Sequence, residues 1–131
     1  MIFVSTTLAD HSLCEDLFKS LKSRNIYAIE MRNHFYHYSE GQKFESMAYE
    51  DLADDVIRFA DKMGIKTFTL MGYCVGGRIA AVAATRHPHR VDKLIPYETV
   101  LDDLGVFAEF PYRLIDIMDS LLKRGLTIAE A

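Results

Sequence analysis

A chain of 131 residues, 50% of them hydrophobic and 26% charged, is long enough for one domain with a real core. Its net charge of −4 lacks the basic surplus that nucleic acid or an anionic membrane surface would favour, so nucleic-acid partners are set aside. The cysteines, Cys14 and Cys74, stand at unrelated places, which speaks against a disulfide framework or a paired-cysteine zinc site; an intracellular, reducing setting is expected, with no metal and no cofactor.

Residues 1–5 are a short run of β-branched and aromatic side chains, read as a buried strand; no basic region precedes it and no cleavage site follows, so no signal peptide is expected. Ser12-Leu13-Cys14-Glu15 has the form of a capping box, and Leu13, Leu17, Phe18 and Leu21 follow at the spacing of one helix face. A second strand is expected over 26–31. Over 32–46 the pattern dissolves into His, Tyr, Ser, Glu and Gly, a loop expected over the C-terminal edge of the strands, where Phe35, Tyr36, Tyr38 and Phe44 are candidates to line a pocket.

The clearest helix comes next. Leu52, Val56, Phe59, Ala60 and Met63 recur at helical spacing, and Gly64 stands where a C-terminal cap belongs. Glu50, Asp51, Asp54 and Asp55 lie early and Arg58 and Lys62 late, as the helix dipole prefers, and Asp54 with Arg58 is expected to form an i, i+4 pair. The acidic run reads as a solvated helix face and not as a metal site.

A third strand over 67–71 runs into Gly72-Tyr73-Cys74-Val75-Gly76-Gly77 and then into a helix that carries Gly76, Ala80 and Ala84 on one side and stops at His87-Pro88. Strand, Gly-x-Cys-x-Gly, helix is the arrangement of a nucleophile elbow, with cysteine where serine is usual. Glycines flank the central residue because so sharp a turn brings two backbones together and leaves no room for side chains. The first N–H groups of the helix, beginning with Val75, then face any negative charge that develops beside Cys74. A fourth strand is expected over 91–97. Pro111 suits the first turn of a last helix whose stripe of Leu114, Ile117, Met118, Leu121 and Leu122 needs a groove, another subunit or further chain to cover it. Strands alternating with helices indicate an α/β protein, a three-layer parallel sheet of about four strands with right-handed crossovers, whose ligands bind past the carboxyl ends of the strands.

The elbow, the Ala-rich helix after it, His87-Pro88-x-x-Val91-x-x-Leu94-Ile95 and the upstream Met31-Arg32-Asn33-His34 together resemble the α/β-hydrolase superfamily. The likeness is greater to its small esterase branch, with an Arg-Asn-His segment after a strand and a Gly-His-Ser-x-Gly-Gly elbow some forty residues on. The Gly-Tyr-Cys-x-Gly-Gly version is also similar to that of dienelactone hydrolases. The resemblance implies a partial α/β-hydrolase fold, with strand order 2-1-3-4 over residues 1–100, the start of a helical cap over 101–131, and truncation at both ends. It also implies an ester hydrolase of the carboxylesterase or thioesterase type, acting on a small ester or thioester. Cys74 takes the nucleophile position, Val75 and Thr7 are the oxyanion donors, and Phe35 and Tyr73 lie beside the substrate; Ser5-Thr6-Thr7 stands where the family has a His-Gly pair. The family's acid and histidine come from loops after two later strands, for which these residues hold no counterpart. His34 is the base candidate within the chain, and Asp102 or Glu98 the acid candidate. The alternative is a non-catalytic remnant, an interaction or dimerising module that pairs through open sheet edges or the last helix. A redox-sensing thiol at Cys74 is a third reading. Members of the branch occur in bacterial cytosol and in mitochondria, so either location is expected, and no apolar run approaches the roughly 20 residues of a membrane span.

Overall fold

Period-two burial decides how the short apolar runs stack. In the computed structural model, which describes residues 1–6, 10–21, 25–32 and 48–99, strand β1 (Ile2–Val4) is buried throughout. Ile2 and Val4 face one side of the sheet and Phe3 the other, each within a different apolar cluster. Strand β2 (Tyr27–Ile29) pairs with β1, strand β3 (Phe68–Tyr73) lies on its other side, and strand β4 (Val91–Tyr97) follows β3. All three pairings are parallel and the order is β2-β1-β3-β4, as expected for a partial α/β-hydrolase fold. A parallel pair needs a crossover, and helices supply it.

Helices α2 (Tyr49–Lys62) and α3 (Val75–Arg86) cover the face that carries Ile2, Val4, Phe68 and Leu70. From α2 come Leu52, Ala53, Val56, Ile57 and Ala60, the apolar stripe that its 3.6-residue period predicts, and the chain leaves through Gly64 at φ +68°. From α3 come Gly76, Gly77, Ile79, Ala80 and Ala83, so the small-residue face runs through Ala83 in place of Ala84. Full burial of a side chain such as Leu52, Leu70 or Ile79 contributes about 1.5–3 kcal/mol each. The opposite face is covered by a 3-10 turn (His11–Cys14) leading into α1 (Glu15–Ser20), where Phe18 meets Phe3 edge-on with ring centroids 5.0 Å apart.

Three local expectations are corrected. The helix start is capped by Asp10, whose carboxylate accepts the Ser12 N–H at 2.8 Å, and not by a box beginning at Ser12. The tighter 3-10 turn rotates Cys14 inward and leaves Leu13 58% exposed. Strand pairing at β2 stops at Ile29, although Met31 beyond it is buried. The expected Asp54–Arg58 pair does not form: Arg58 donates to Asp55 at 2.8 Å, while Asp54 turns to Arg86 and His87 at the end of α3, both at 3.3 Å. Arg86 and His87, at the end of a packed helix, offered Asp54 more than its own helix did. Arg32 donates to Asp55 as well, tying the chain after β2 to α2. The cap expected over 101–131 and its boundary lie outside the described residues. Among the described residues no helix is long and apolar enough to cross a membrane.

The His87 hydrogen bond, reinforced by Arg86, holds the Asp54 carboxyl below the ordinary aspartate range, against a smaller opposing effect of burial. Its contribution to stability is present at neutral pH and is lost as the pH falls below about 4, where the unfolded chain takes up the proton first. Asp54→Asn should therefore lower the urea midpoint at pH 7, and its gap from wild type should narrow progressively as the pH falls below about 4.

Candidate active site

The sharpest turn in the sheet falls at the carboxyl end of β3. Cys74 has φ +52° and ψ −115°, a left-handed backbone that costs an L-residue of order 1–3 kcal/mol, and the surrounding contacts hold it there. A Cβ on Gly72 would overlap the Gly76 carbonyl and lie 2.6 Å from Gly77 Cα; one on Gly76 would overlap the carbonyl oxygens of Val4 and Ser5. The first turn of α3 thus lies directly on the backbones of β1 and β3, and the thiol-bearing residue is left exposed at the apex. Val75 is the first residue of α3, so its N–H precedes the helix's own acceptors.

The end of β4 closes round the turn. Tyr97 pairs with Tyr73 in the register, and the next residues, Cys74 and Glu98, are the non-glycine residues of positive φ among those described, Glu98 at +46°. The Cys74 N–H donates to the Tyr97 carbonyl at 3.0 Å, and the Gly77 N–H donates to the Cys74 carbonyl at 3.1 Å. The Thr99 hydroxyl donates to the Tyr97 carbonyl at 3.0 Å and to that of Cys74 at 3.2 Å. Thr99 also occupies the space a side chain on Gly77 would need, its Cβ 2.7 Å from such a Cβ.

Tyr73, expected beside the substrate, sends its ring into the cluster of Phe3, Cys14 and Met71 on the α1 side and lies 5.6 Å from the Tyr97 ring. Burial, and then the hydrogen bond its hydroxyl donates to Glu98, raise the Tyr73 phenol above its ordinary value. Burial chiefly, with the Glu98 charge behind it, also pushes the Cys14 thiol up. Cys74 and Val75 therefore share the apex with Glu98 and Thr99. Thr7, His34, Phe35 and Asp102 lie outside the described residues. Ser5 and Thr6, the residues just before Thr7, are buried at the carboxyl end of β1. Sequence reasoning missed Thr99: the pattern after Tyr97 is mixed, and a threonine two residues past a strand carries no signal of its own.

Among the described residues no group of three or more His, Cys, Asp or Glu side chains comes together to hold a metal ion. An open depression of about 360 Å³ lined by Met1, Asn25, Tyr27, Thr67, Phe68 and Asp92, among others, lies at the amino ends of the strands, the wrong end for a ligand of Cys74.

A parallel sheet of this order, with a left-handed cysteine between β3 and α3, defines a class, and comparison with known proteins agrees. Residues 1–123 match the family model described as alpha/beta hydrolase fold, and the chain belongs to that family. It is 33% identical over 72 residues to ethanol acetyltransferase 1 of Cyberlindnera jadinii, which covers 53% of this chain and 20% of that protein. It is 27% identical over 126 residues to a probable alcohol acetyltransferase of Saccharomyces cerevisiae, with 92% and 35% covered. The chain thus spans 20% to 35% of the length of these relatives. Among solved structures it is similar to a carboxylesterase of Nitrososphaera gargenis, with TM-score 0.68, 21% identity, and 99% of this chain and 50% of that one covered. A marine microorganism esterase gives TM-score 0.58 at 23% identity, with 72% and 36% covered. At these identities the structural likeness is one of fold.

The two thiols differ in access, since Cys14 is 6% exposed and Cys74 lies open at the apex. In native protein at pH 7, Ellman's reagent should modify one thiol per chain, and that thiol should vanish in Cys74→Ala. Cys14 should react only after denaturant is added; prompt reaction of both would contradict the packing of α1.

Proposed function

We propose that the chain carries the nucleophilic centre of an acyl-transfer enzyme acting on a small ester or thioester, with Cys74 as nucleophile. The carrying observation is the exposed, left-handed Cys74 at the start of α3. The thiolate sulfur attacks the acyl carbonyl carbon and an S–C bond forms. The carbonyl π pair moves onto oxygen, and the resulting oxyanion collapses, breaking the bond from the acyl carbon to the leaving oxygen or sulfur, which departs as alkoxide or thiolate and takes a proton from solvent. Val75 N–H is one oxyanion donor. Thr7 N–H is the second, supported by the packing of the Val4 and Ser5 carbonyls against Gly76, which brings the end of β1 to the same turn. Phe35 borders the acyl side in this reading. Deacylation needs a base to activate the acceptor, a role this reading gives to His34, with Asp102 as its acid. The names of the acetyltransferase relatives favour an alcohol as acceptor alongside water. A free, accessible thiol suits a reducing compartment, cytoplasmic or mitochondrial.

The purified chain, Cys74→Ala and a free-thiol control should be compared on p-nitrophenyl acetate at matched pH. A Cys74-dependent release roughly tenfold or more above the free thiol is expected, the share that oxyanion donors would supply. Turnover that continues past one equivalent should drop to a single burst in His34→Ala. No difference between the chain and Cys74→Ala would sink the proposal.

A second reading, a dimerising module, is favoured by β4, where Leu94, Ile95 and Tyr97 are 37%, 42% and 46% exposed. Because the Tyr97 carbonyl faces β3, alternation turns the Pro96 nitrogen outward, where no N–H can pair with another strand. At Pro96 itself, contact between copies would then rest on side chains. Sedimentation should show a dimer that Ile95→Lys dissociates; a monomer at all concentrations would end this reading.

A further inference from the structure

We propose that Thr99 is a positioning residue for the oxyanion donor of the elbow, an inference that rests on the acyl-transfer reading above. The peptide unit between Cys74 and Val75 is trans and planar, so the Cys74 carbonyl and the Val75 N–H point in opposite directions and turn together. Whatever holds that carbonyl aims that N–H. The helix itself supplies donors to it, among them the Gly77 N–H at 3.1 Å, and these move with α3. The Thr99 hydroxyl at 3.2 Å comes from beyond β4 and refers the peptide plane to the sheet.

The Thr99 hydroxyl has one proton, shared with the Tyr97 carbonyl at 3.0 Å, and that same carbonyl accepts the Cys74 N–H at 3.0 Å. Thr99, Tyr97 and Cys74 therefore form a closed staple over both peptide units of the nucleophile, the one before Cys74 and the one after it. The missing side chain at Gly77 is part of the same device. A Cβ there would overlap the Thr99 hydroxyl and lie 2.8 Å from its methyl carbon, so only glycine lets Thr99 reach the carbonyl. The left-handed backbone at Glu98 turns the chain from β4 so that the next residue can face the elbow.

This role separates two reactions of one thiol. Acylation passes through a tetrahedral oxyanion and uses the Val75 N–H; alkylation by iodoacetamide displaces iodide at a saturated carbon and builds no such oxyanion. In Thr99→Val the Cys74-dependent acylation by p-nitrophenyl acetate should fall roughly tenfold, less than the loss on deleting a donor outright, while the rate of Cys74 alkylation stays within about twofold. Thr99→Ser, which restores the hydroxyl without the methyl, should recover most of the acylation rate. Equal loss of both reactions in Thr99→Val would mean that Thr99 only keeps the elbow folded, and no loss of either would mean that Gly77 suffices; each overturns the proposal. The backbone amide resonance of Val75 gives a readout that needs no activity. It should move in Thr99→Val and return in Thr99→Ser. A wild-type chain acylated no faster than Cys74→Ala, with the Val75 resonance behaving as expected, would remove the acyl-transfer reading and leave only the hold of Thr99 on the Val75 peptide plane, with no oxyanion to serve. An unmoved resonance in Thr99→Val would remove the positioning role by itself.

Discussion

Everything at the carboxyl edge of this sheet depends on the close approach of three backbones. The first turn of α3 sits against β1 and β3 at a separation that admits hydrogen atoms at Gly72 and Gly76 and nothing larger. That contact forces the chain to reverse within one residue, and the residue at the reversal is Cys74. The strain of its left-handed backbone is offset by hydrogen bonds to both of its peptide groups and by the burial of Ile79, Ala80 and Ala83 on the same helix. The geometry of the apex thus rests on packing below it.

The two faces of the sheet divide the remaining work. The α2 and α3 face carries most of the core and is fastened at its rim by Asp54 to Arg86 and His87, exposed or half-buried pairs whose individual worth is small. The α1 face is thinner, with Phe3, Cys14 and Met71 as its buried residues and Tyr73 and Phe18 packed around them. There the Glu98 carboxylate meets the Tyr73 hydroxyl beside a buried thiol, which places a negative charge close behind the elbow.

Much of the architecture was legible because its signals are local. Gly-x-Cys-x-Gly between a β-rich run and an Ala-rich run identifies the elbow, and Leu52, Val56 and Ala60 mark the buried face of α2 through their period alone. The strand order came from resemblance to a family and not from any pattern within the strands. Where expectation failed, a nonlocal partner had won. Asp54 left its own helix for Arg86 and His87, and Asp10 took the Ser12 N–H that a capping box would have used internally. Thr99 is the plainest case: its role exists only because β4 ends beside β3, a relation 25 residues long in sequence.

If Cys74 accepts an acyl group, brief exposure of the native chain to an activated acetyl ester, followed by peptide mass spectrometry, should show an acetyl adduct on the peptide containing Cys74, removed by hydroxylamine and absent in Cys74→Ala. Acetylation spread over surface lysines, with Cys74 unmodified, would contradict it.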